Sequence, residues 1–159
     1  MTETGNWNPW ICSNWLATLL LIETDEARRH DGLRKILRAL DHYIAHLPAD
    51  GSCDEGPGYW RRSAASVFDC LELLHGATGG QLDIFRHPQL QEAARFIYRV
   101  HVAGDYFYNF NDGPGRMNIP AALAMRFGRR VADANLVAFG ASREDDEAFD
   151  SSAKLLRRV

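Results

Sequence analysis

The pattern of apolar and polar positions predicts a chain built of helices. Residues 9–23 are apolar almost all round, which is typical of a buried helix that needs cover on every side. A second helix is predicted with Thr24 or Asp25 as its N-cap and Pro48 as its stop. Its apolar residues recur every three and four positions, at Leu33, Ile36, Leu37, Leu40, Ile44 and Leu47.

The middle of the chain alternates between loops and helices. Residues 48–60 contain three glycines and two prolines, a composition too broken for helix or strand. A third helix is predicted over residues 63–75, with Gly76 at the position just after its end. Pro88 is suited to open a fourth helix as its first residue, and Gly104 is predicted to close it.

The last third predicts shorter elements. Residues 105–111 alternate aromatic and polar side chains, which favours a short strand or an extended segment. Two short helices follow at 119–127 and 133–139, where Gly128 and Gly140 are placed to end them. The predicted fold class is therefore all-α, with antiparallel helical hairpins.

Composition supports one domain and excludes several function classes. The chain has 159 residues, of which 46% are hydrophobic, and we expect one helical domain over 1–141. Residues 142–159 are charged and serine-rich, typical of a frayed helix or a disordered tail. A net charge of −3 disfavours binding to nucleic acid or to an anionic membrane. Three cysteines without CxxC spacing exclude a cysteine zinc site.

Three segments, 6–10, 54–62 and 106–112, concentrate aromatic residues beside polar ones. Tryptophan and tyrosine rings stack on the C–H faces of sugars, while amides, arginines and carboxylates hydrogen-bond hydroxyls and acids. Taken singly, each aromatic residue is more often a packing residue over a helix end. The three clusters together favour a carbohydrate-binding cleft.

Tyr59 is the most specific candidate for chemistry. Gly56 and Gly58 flank a proline and allow a sharp turn that presents Tyr59 at the head of a helix. A helix N-terminus, together with Arg61 and Arg62, favours the phenolate form, so the side chain is suited to donate or accept a proton. A core tyrosine with its hydroxyl bonded to the backbone is an equally good interpretation.

Other chemistries have weaker support. Glu55 is suited to orient a catalytic group or, more commonly, to cap a helix. Asp54 or Glu55 with Asp112 is a possible carboxylate pair for glycoside hydrolysis, but sequence does not fix their separation. His42 and His46 lie four residues apart on one helix face, although an exposed, non-ligating role is favoured. No metal or cofactor is predicted.

Several segments resemble the heparinase II/III-like polysaccharide lyases over residues 6–140. They are NWNPWICSNWL, CDEGPGYWRRSAASVFDCLELL, FIYRVHVAGDYFYNFNDGPG and RFGRRVADANLVAFG. The resemblance implies an (α/α) toroid followed by a β-sandwich, with the active site in the cleft between them. It also implies β-elimination of uronic-acid polysaccharides, which leaves an unsaturated sugar.

The resemblance also implies roles for individual residues. Tyr59 corresponds to the catalytic tyrosine that protonates the leaving oxygen and is a candidate for abstracting a proton as well. Asn6 corresponds to the residue that neutralises the uronate carboxylate, and Asn8 is the alternative because the register is ambiguous by two positions. The residues assigned to substrate binding are Trp7, Asn8, Glu55, Trp60 and Asn111.

The chain departs from the family in two respects. The family places a further catalytic histidine on the β-sandwich, and this sequence has no β-rich region or early toroid helices. We therefore expect part of a toroid, with negligible lyase activity from these 159 residues alone. The resemblance implies an acidic polysaccharide as partner, no cofactor, and a periplasmic or extracellular location.

The exposed helix faces of a partial toroid predict association, and two other functions are alternatives to the lyase. A partial toroid leaves apolar faces open, so we expect a homo-oligomer with Trp10, Trp15 and residues 19–21 near the contact. One rival is an (α/α)-barrel glycoside hydrolase that uses Glu55 and Asp112. The other is a non-catalytic helical module that binds glycan or another chain.

Overall fold

The computed structural model describes residues 5–143, which form six α-helices, one 3-10 helix and one two-stranded sheet. The all-α class is confirmed. The helices are α1 (Trp7–Leu21), α2 (Glu26–Ala45), a 3-10 helix (Pro57–Arg61), α3 (Ala64–Ala77), α4 (Pro88–Arg99), α5 (Ala121–Val131) and α6 (Ala134–Ala141). The strands are β1 (His101–Ala103) and β2 (Tyr106–Phe107), which pair antiparallel.

Two helix starts follow their sequence signals. Asp25 caps α2, because its carboxylate accepts a hydrogen bond from the Arg28 amide at 3.0 Å. Pro88 occupies the first turn of α4, where a missing N–H leaves no intrahelical bond unmade. By contrast, α1 begins at Trp7, two residues before the predicted start. Pro9 is tolerated there because the first-turn amides have no partner within the helix.

Four glycines predicted to end helices do not end them. Gly76 lies inside α3, and the chain turns instead at Gly79, whose φ is +58°. Gly104 forms the turn between β1 and β2, while α4 already ends at Arg99. Gly128 and Gly140 lie inside α5 and α6 at their mutual contact. A Cβ on Gly140 would lie 2.9 Å from the Ala121 carbonyl oxygen, so these positions allow close packing of two helices.

The core has two parts. A larger cluster joins α3, α4, α5 and α6 around the stacked rings of Phe68 and Phe127, whose centroids are 4.5 Å apart. A smaller cluster fills the space between α1, α2 and α3 with Cys12, Leu16, Ile36, Leu40 and Cys70, among others. Because α1 packs against α2 and α3, these two helices position the wall of the cleft described below.

The first helix is not covered on every side, as its composition had led us to expect. Trp7, Ile11 and Leu21 are exposed, with Leu21 at 73%. Of the residues expected near an oligomer contact, Leu19 is buried and Trp15 packs against the smaller cluster. Oligomerisation itself stays a prediction. Within residues 5–143, no helix is both long enough and apolar enough to span a membrane.

Asp133 ties α6 to α4 and gives a testable dependence of stability on pH. Its carboxylate accepts from the Leu136 amide at 2.9 Å as the N-cap of α6, and from Arg95 Nε at 2.7 Å. Burial favours the protonated acid, but the hydrogen bonds from Arg95 and Leu136 outweigh it and hold the Asp133 pKa below its ordinary value of 3.8. The carboxylate therefore stabilises the fold above the unfolded-state pKa and loses this effect as pH falls through the folded-state pKa.

We expect Asp133→Ala to lower the free energy of unfolding at pH 7 by about 2 kcal/mol, since it removes a cap and a charged hydrogen bond together. The difference from wild type should shrink towards pH 3, which lies below the ordinary pKa of 3.8, because the unfolded chain then takes up a proton that the folded carboxylate resists. Urea denaturation at both pH values measures this. Asp31→Asn is the control, because the Asp31–Lys35 pair is exposed and should contribute little. An equal deficit at pH 7 and pH 3 would contradict the electrostatic part of this account.

Candidate functional site

A cleft of about 1030 Å³ opens between α1, the 3-10 helix, α3 and the segment 112–119. Tyr59 is half-buried on its wall. The lining combines three arginines and three carboxylates with aromatic and amide side chains. The polar and aromatic members are Trp10, Ser13, Asn14, Tyr59, Arg61, Arg62, Ser66, Asp69, Glu72, Asp112, Asn118 and Arg126.

The turn that presents Tyr59 depends on glycine. Gly56 has a φ of +94°, and a Cβ there would collide with the Phe110 carbonyl oxygen. Gly58 lies against Pro114, whose Cδ would be 2.7 Å from an added Cβ. The loop predicted over 48–60 therefore ends in a 3-10 helix, Pro57–Arg61, rather than staying irregular. Its close contact with segment 110–114 holds Tyr59 at the edge of the cleft.

Tyr59 lies at the boundary between the cleft and the core. It lines the cleft, and its ring packs partly against the larger core cluster. The guanidinium of Arg62 lies 5.7 Å from the Tyr59 ring centroid and 4.6 Å from that of Trp10. Two aromatic faces and one cation thus share one side of the cleft.

One charged cluster of the cleft joins α3 to α5. Glu72 accepts from Arg126 at 2.8 Å and from Arg130 at 2.5 Å, so one carboxylate holds two guanidinium groups. Arg130 also approaches His75 Nε2 at 3.2 Å. Asp69, Glu72 and Asp112 balance the three lining arginines in formal charge. The cleft is therefore polar without being strongly basic.

The two asparagines matched to the carboxylate-neutralising role lie in the protein interior. Asn6 is 2% exposed as the residue before α1, and its Nδ2 has no hydrogen-bond partner among residues 5–143. Asn8 is also 2% exposed, and its Nδ2 donates to the Ala39 carbonyl at 3.2 Å. Neither residue is on the cleft wall in this structure, so the structure does not bring Asn6 or Asn8 together with Tyr59.

The residues predicted to bind substrate also separate. Trp60 is fully buried, and its Nε1 donates to the Ala93 carbonyl at 2.8 Å, so it is a core residue and lines no subsite. Trp7 is 56% exposed and its ring is tilted against that of Trp10, with centroids 5.1 Å apart, but it is not part of the cleft wall. Asn111, at a φ of +48°, donates to the Asp54 carbonyl at 2.9 Å and so braces the loop behind Tyr59.

Glu55 and the histidine pair contribute no second site. Glu55 is half-buried but does not line the cleft, whereas Asp112 does. His46 Nδ1 is 2.7 Å from the His42 carbonyl oxygen, a contact within one helix. In the part of the chain that the structure describes, no three histidine, cysteine or acidic side chains form a group able to hold a metal.

The cysteines are poor nucleophiles. Cys12, Cys53 and Cys70 are all buried, and burial raises the pKa of each thiol above its ordinary value. A higher pKa means that less thiolate, the reactive form, is present at neutral pH. This disfavours covalent catalysis by cysteine.

Sequence reasoning missed most of the cleft wall on α1 and α3. The signal was present as helical spacing: Ser66, Asp69 and Leu73 recur at three and four residues and face the cleft together. On α1, Trp10, Asn14 and Ala17 do the same. Arg126, by contrast, comes from a distant helix and carries no local signal.

Models of known protein families include none that matches this chain, and a search of curated proteins also finds no match. The functional assignment therefore depends on the cleft and on the sequence motifs. Of the two residues proposed for catalysis, the cleft contains one, Tyr59.

Proposed function

We propose that this chain is part of a polysaccharide lyase that cleaves uronic-acid polysaccharides by β-elimination, and that its helices belong to an (α/α) toroid. The observation that carries the proposal is the position of Tyr59, on the wall of a cleft large enough for several sugar rings and beside two arginines. The motif around Tyr59 supports the same chemistry, because it resembles that of the heparinase II/III-like lyases.

The reaction needs three events at one sugar. A base removes the C5 proton, the uronate carboxylate takes up the developing negative charge, and the C4–O bond breaks as its oxygen receives a proton. Tyr59 is suited to both proton transfers: the phenolate accepts the C5 proton, and the resulting phenol returns a proton to the leaving oxygen. The other product carries a C4–C5 double bond.

Residues around Tyr59 favour this role. The Arg62 guanidinium lies 5.7 Å from the Tyr59 ring centroid, so a positive charge suited to an anionic substrate stands beside the proposed proton-transfer group. Trp10 lines the same wall, with its ring in contact with the Arg62 guanidinium. Asn6, matched to carboxylate neutralisation, is buried and does not line the cleft, so the proposal rests on Tyr59.

Glycoside hydrolysis is the second candidate, and the structure favours it less. Its proposed carboxylates are Glu55 and Asp112, of which Asp112 alone lines the cleft. Hydrolysis by inversion or retention needs two carboxyl groups that face each other across one bond. The lyase proposal requires no such pair.

Product chemistry separates the two candidates. We expect the protein encoded by the complete reading frame that contains these residues to release unsaturated uronate from a glucuronan or alginate substrate, seen as new ultraviolet absorbance. Neutral polysaccharides should give none, because without a carboxylate the C5 proton is far less acidic. New reducing ends without absorbance would establish hydrolysis and refute the lyase proposal.

A further inference from the structure

The arginine at the edge of the cleft has an unusual environment. The Arg62 guanidinium lies 4.6 Å from the Trp10 ring centroid and 5.7 Å from the Tyr59 ring centroid. Among the described residues, no carboxylate lies within ion-pair distance of it, while Arg126 is held by Glu72 at 2.8 Å. Arg62 is exposed, so its charge is available to a ligand.

The two rings restrict how Arg62 can act. The Arg62 guanidinium lies over the Trp10 ring, and this cation–π contact holds the group at the edge of the cleft. A planar fork of N–H groups matches the two oxygens of a carboxylate. Less side-chain entropy is lost on binding when the group is already oriented.

The remaining charges oppose a densely anionic ligand. The three lining arginines are matched by Asp69, Glu72 and Asp112. A sulfated glycan would bring several extra negative charges next to these carboxylates, and like charges placed together reduce affinity. A glycan with isolated carboxylates meets Arg62 without that repulsion.

We propose that Arg62, oriented by Trp10, binds one carboxylate of the sugar next to the reacting one, and that the cleft selects sparsely charged, unsulfated uronans over sulfated ones. This inference rests on the proposed function for the nature of the ligand. It adds the residue that recognises the substrate and the class of uronan that fits.

Titration calorimetry on the chain tests this proposal with three tetrasaccharide probes: an unsulfated glucuronan fragment, its methyl ester and a sulfated heparin fragment. We expect Arg62→Gln to weaken binding of the first about tenfold, the scale of one lost charged hydrogen bond, and to leave methyl-ester binding unchanged. The sulfated fragment should bind wild type no more tightly than the unsulfated one. Arg62→Lys keeps the charge but loses the planar fork, so we expect a loss of about threefold.

Arg116→Gln is the control, because Arg116 also lies over an aromatic ring, Tyr106 at 5.1 Å, but is paired with Asp105 and lies outside the cleft. Unchanged affinity in Arg62→Gln, tighter binding of the sulfated probe, or no binding of any probe would overturn the inference. Binding that depends on Arg62, together with no unsaturated product from the protein encoded by the complete reading frame, would refute the proposed chemistry alone.

Discussion

Replacing Tyr59 with phenylalanine is expected to lower the rate of β-elimination by about 10²- to 10⁴-fold, the range typical of a lost general acid–base group. The change removes one hydroxyl and leaves the ring that packs partly against the larger core cluster. The contact with Arg62 is also retained in kind, because phenylalanine has a similar face. Substrate binding should therefore change far less than turnover.

The measurement is release of unsaturated uronate by the protein from the complete reading frame, with affinity followed separately. Tyr108→Phe is the matched control, since Tyr108 is 68% exposed and does not line the cleft. It should retain the wild-type rate. A Tyr59→Phe variant with more than a tenth of the wild-type rate would show that another group transfers the proton.

Asp112→Asn extends the same comparison. A hydrolase that depends on the proposed carboxylate pair would lose activity in Asp112→Asn and keep it in Tyr59→Phe. The lyase proposal requires the reverse, with a larger loss of activity in Tyr59→Phe than in Asp112→Asn. The two variants thus report which side chain of the cleft performs the chemistry.

Caps and prolines predict the helix starts well, because each of these signals depends on residues that are close together in the chain. The cap at Asp25 needs only the amide of Arg28, three residues away. Pro88 acts through its own ring geometry. Such features do not require knowledge of what packs against them.

Tertiary contacts explain why some predicted helix ends are wrong. Glycine after an apolar run normally ends a helix, but Gly128 and Gly140 allow two helices to approach closely. Whether such a glycine ends a helix depends on a partner helix that the local sequence does not show. Tyr59 and Trp60 illustrate the same limit, because adjacent residues of one 3-10 helix point to the cleft and to the core respectively.

Of the residues predicted to be catalytic, Tyr59 lies on the cleft wall and Asn6 does not. Tyr59 was found because glycines and arginines mark its segment, whereas Asn6 and Asn8 were assigned by motif and turn out to be buried. An asparagine's position relative to a cleft depends on where α1 begins, and that boundary lies two residues earlier than predicted. The charge balance of the cleft required Glu72 and Arg126, which are 54 residues apart.

Trp60 is expected to give the largest loss of stability in the chain. It is fully buried, its ring stacks on Phe127 with centroids 5.9 Å apart, and its Nε1–H satisfies the Ala93 carbonyl. Trp60→Ala should lower the free energy of unfolding by about 3–5 kcal/mol, because it leaves a cavity and removes the hydrogen bond from Nε1 to the Ala93 carbonyl. For a domain with a total stability of about 5–15 kcal/mol this is a large fraction.

Urea denaturation at neutral pH measures the loss, and two variants make the interpretation specific. Trp7→Ala removes a ring that is 56% exposed and should change stability by less than about 1 kcal/mol. Trp60→Phe keeps most of the volume but not the N–H, so it should fall between Trp60→Ala and wild type. Equal stability of Trp60→Ala and Trp7→Ala would contradict the buried position of Trp60.

Because Trp60 anchors the 3-10 helix that carries Tyr59, we also expect Trp60→Phe to weaken glycan binding more than Trp7→Ala does.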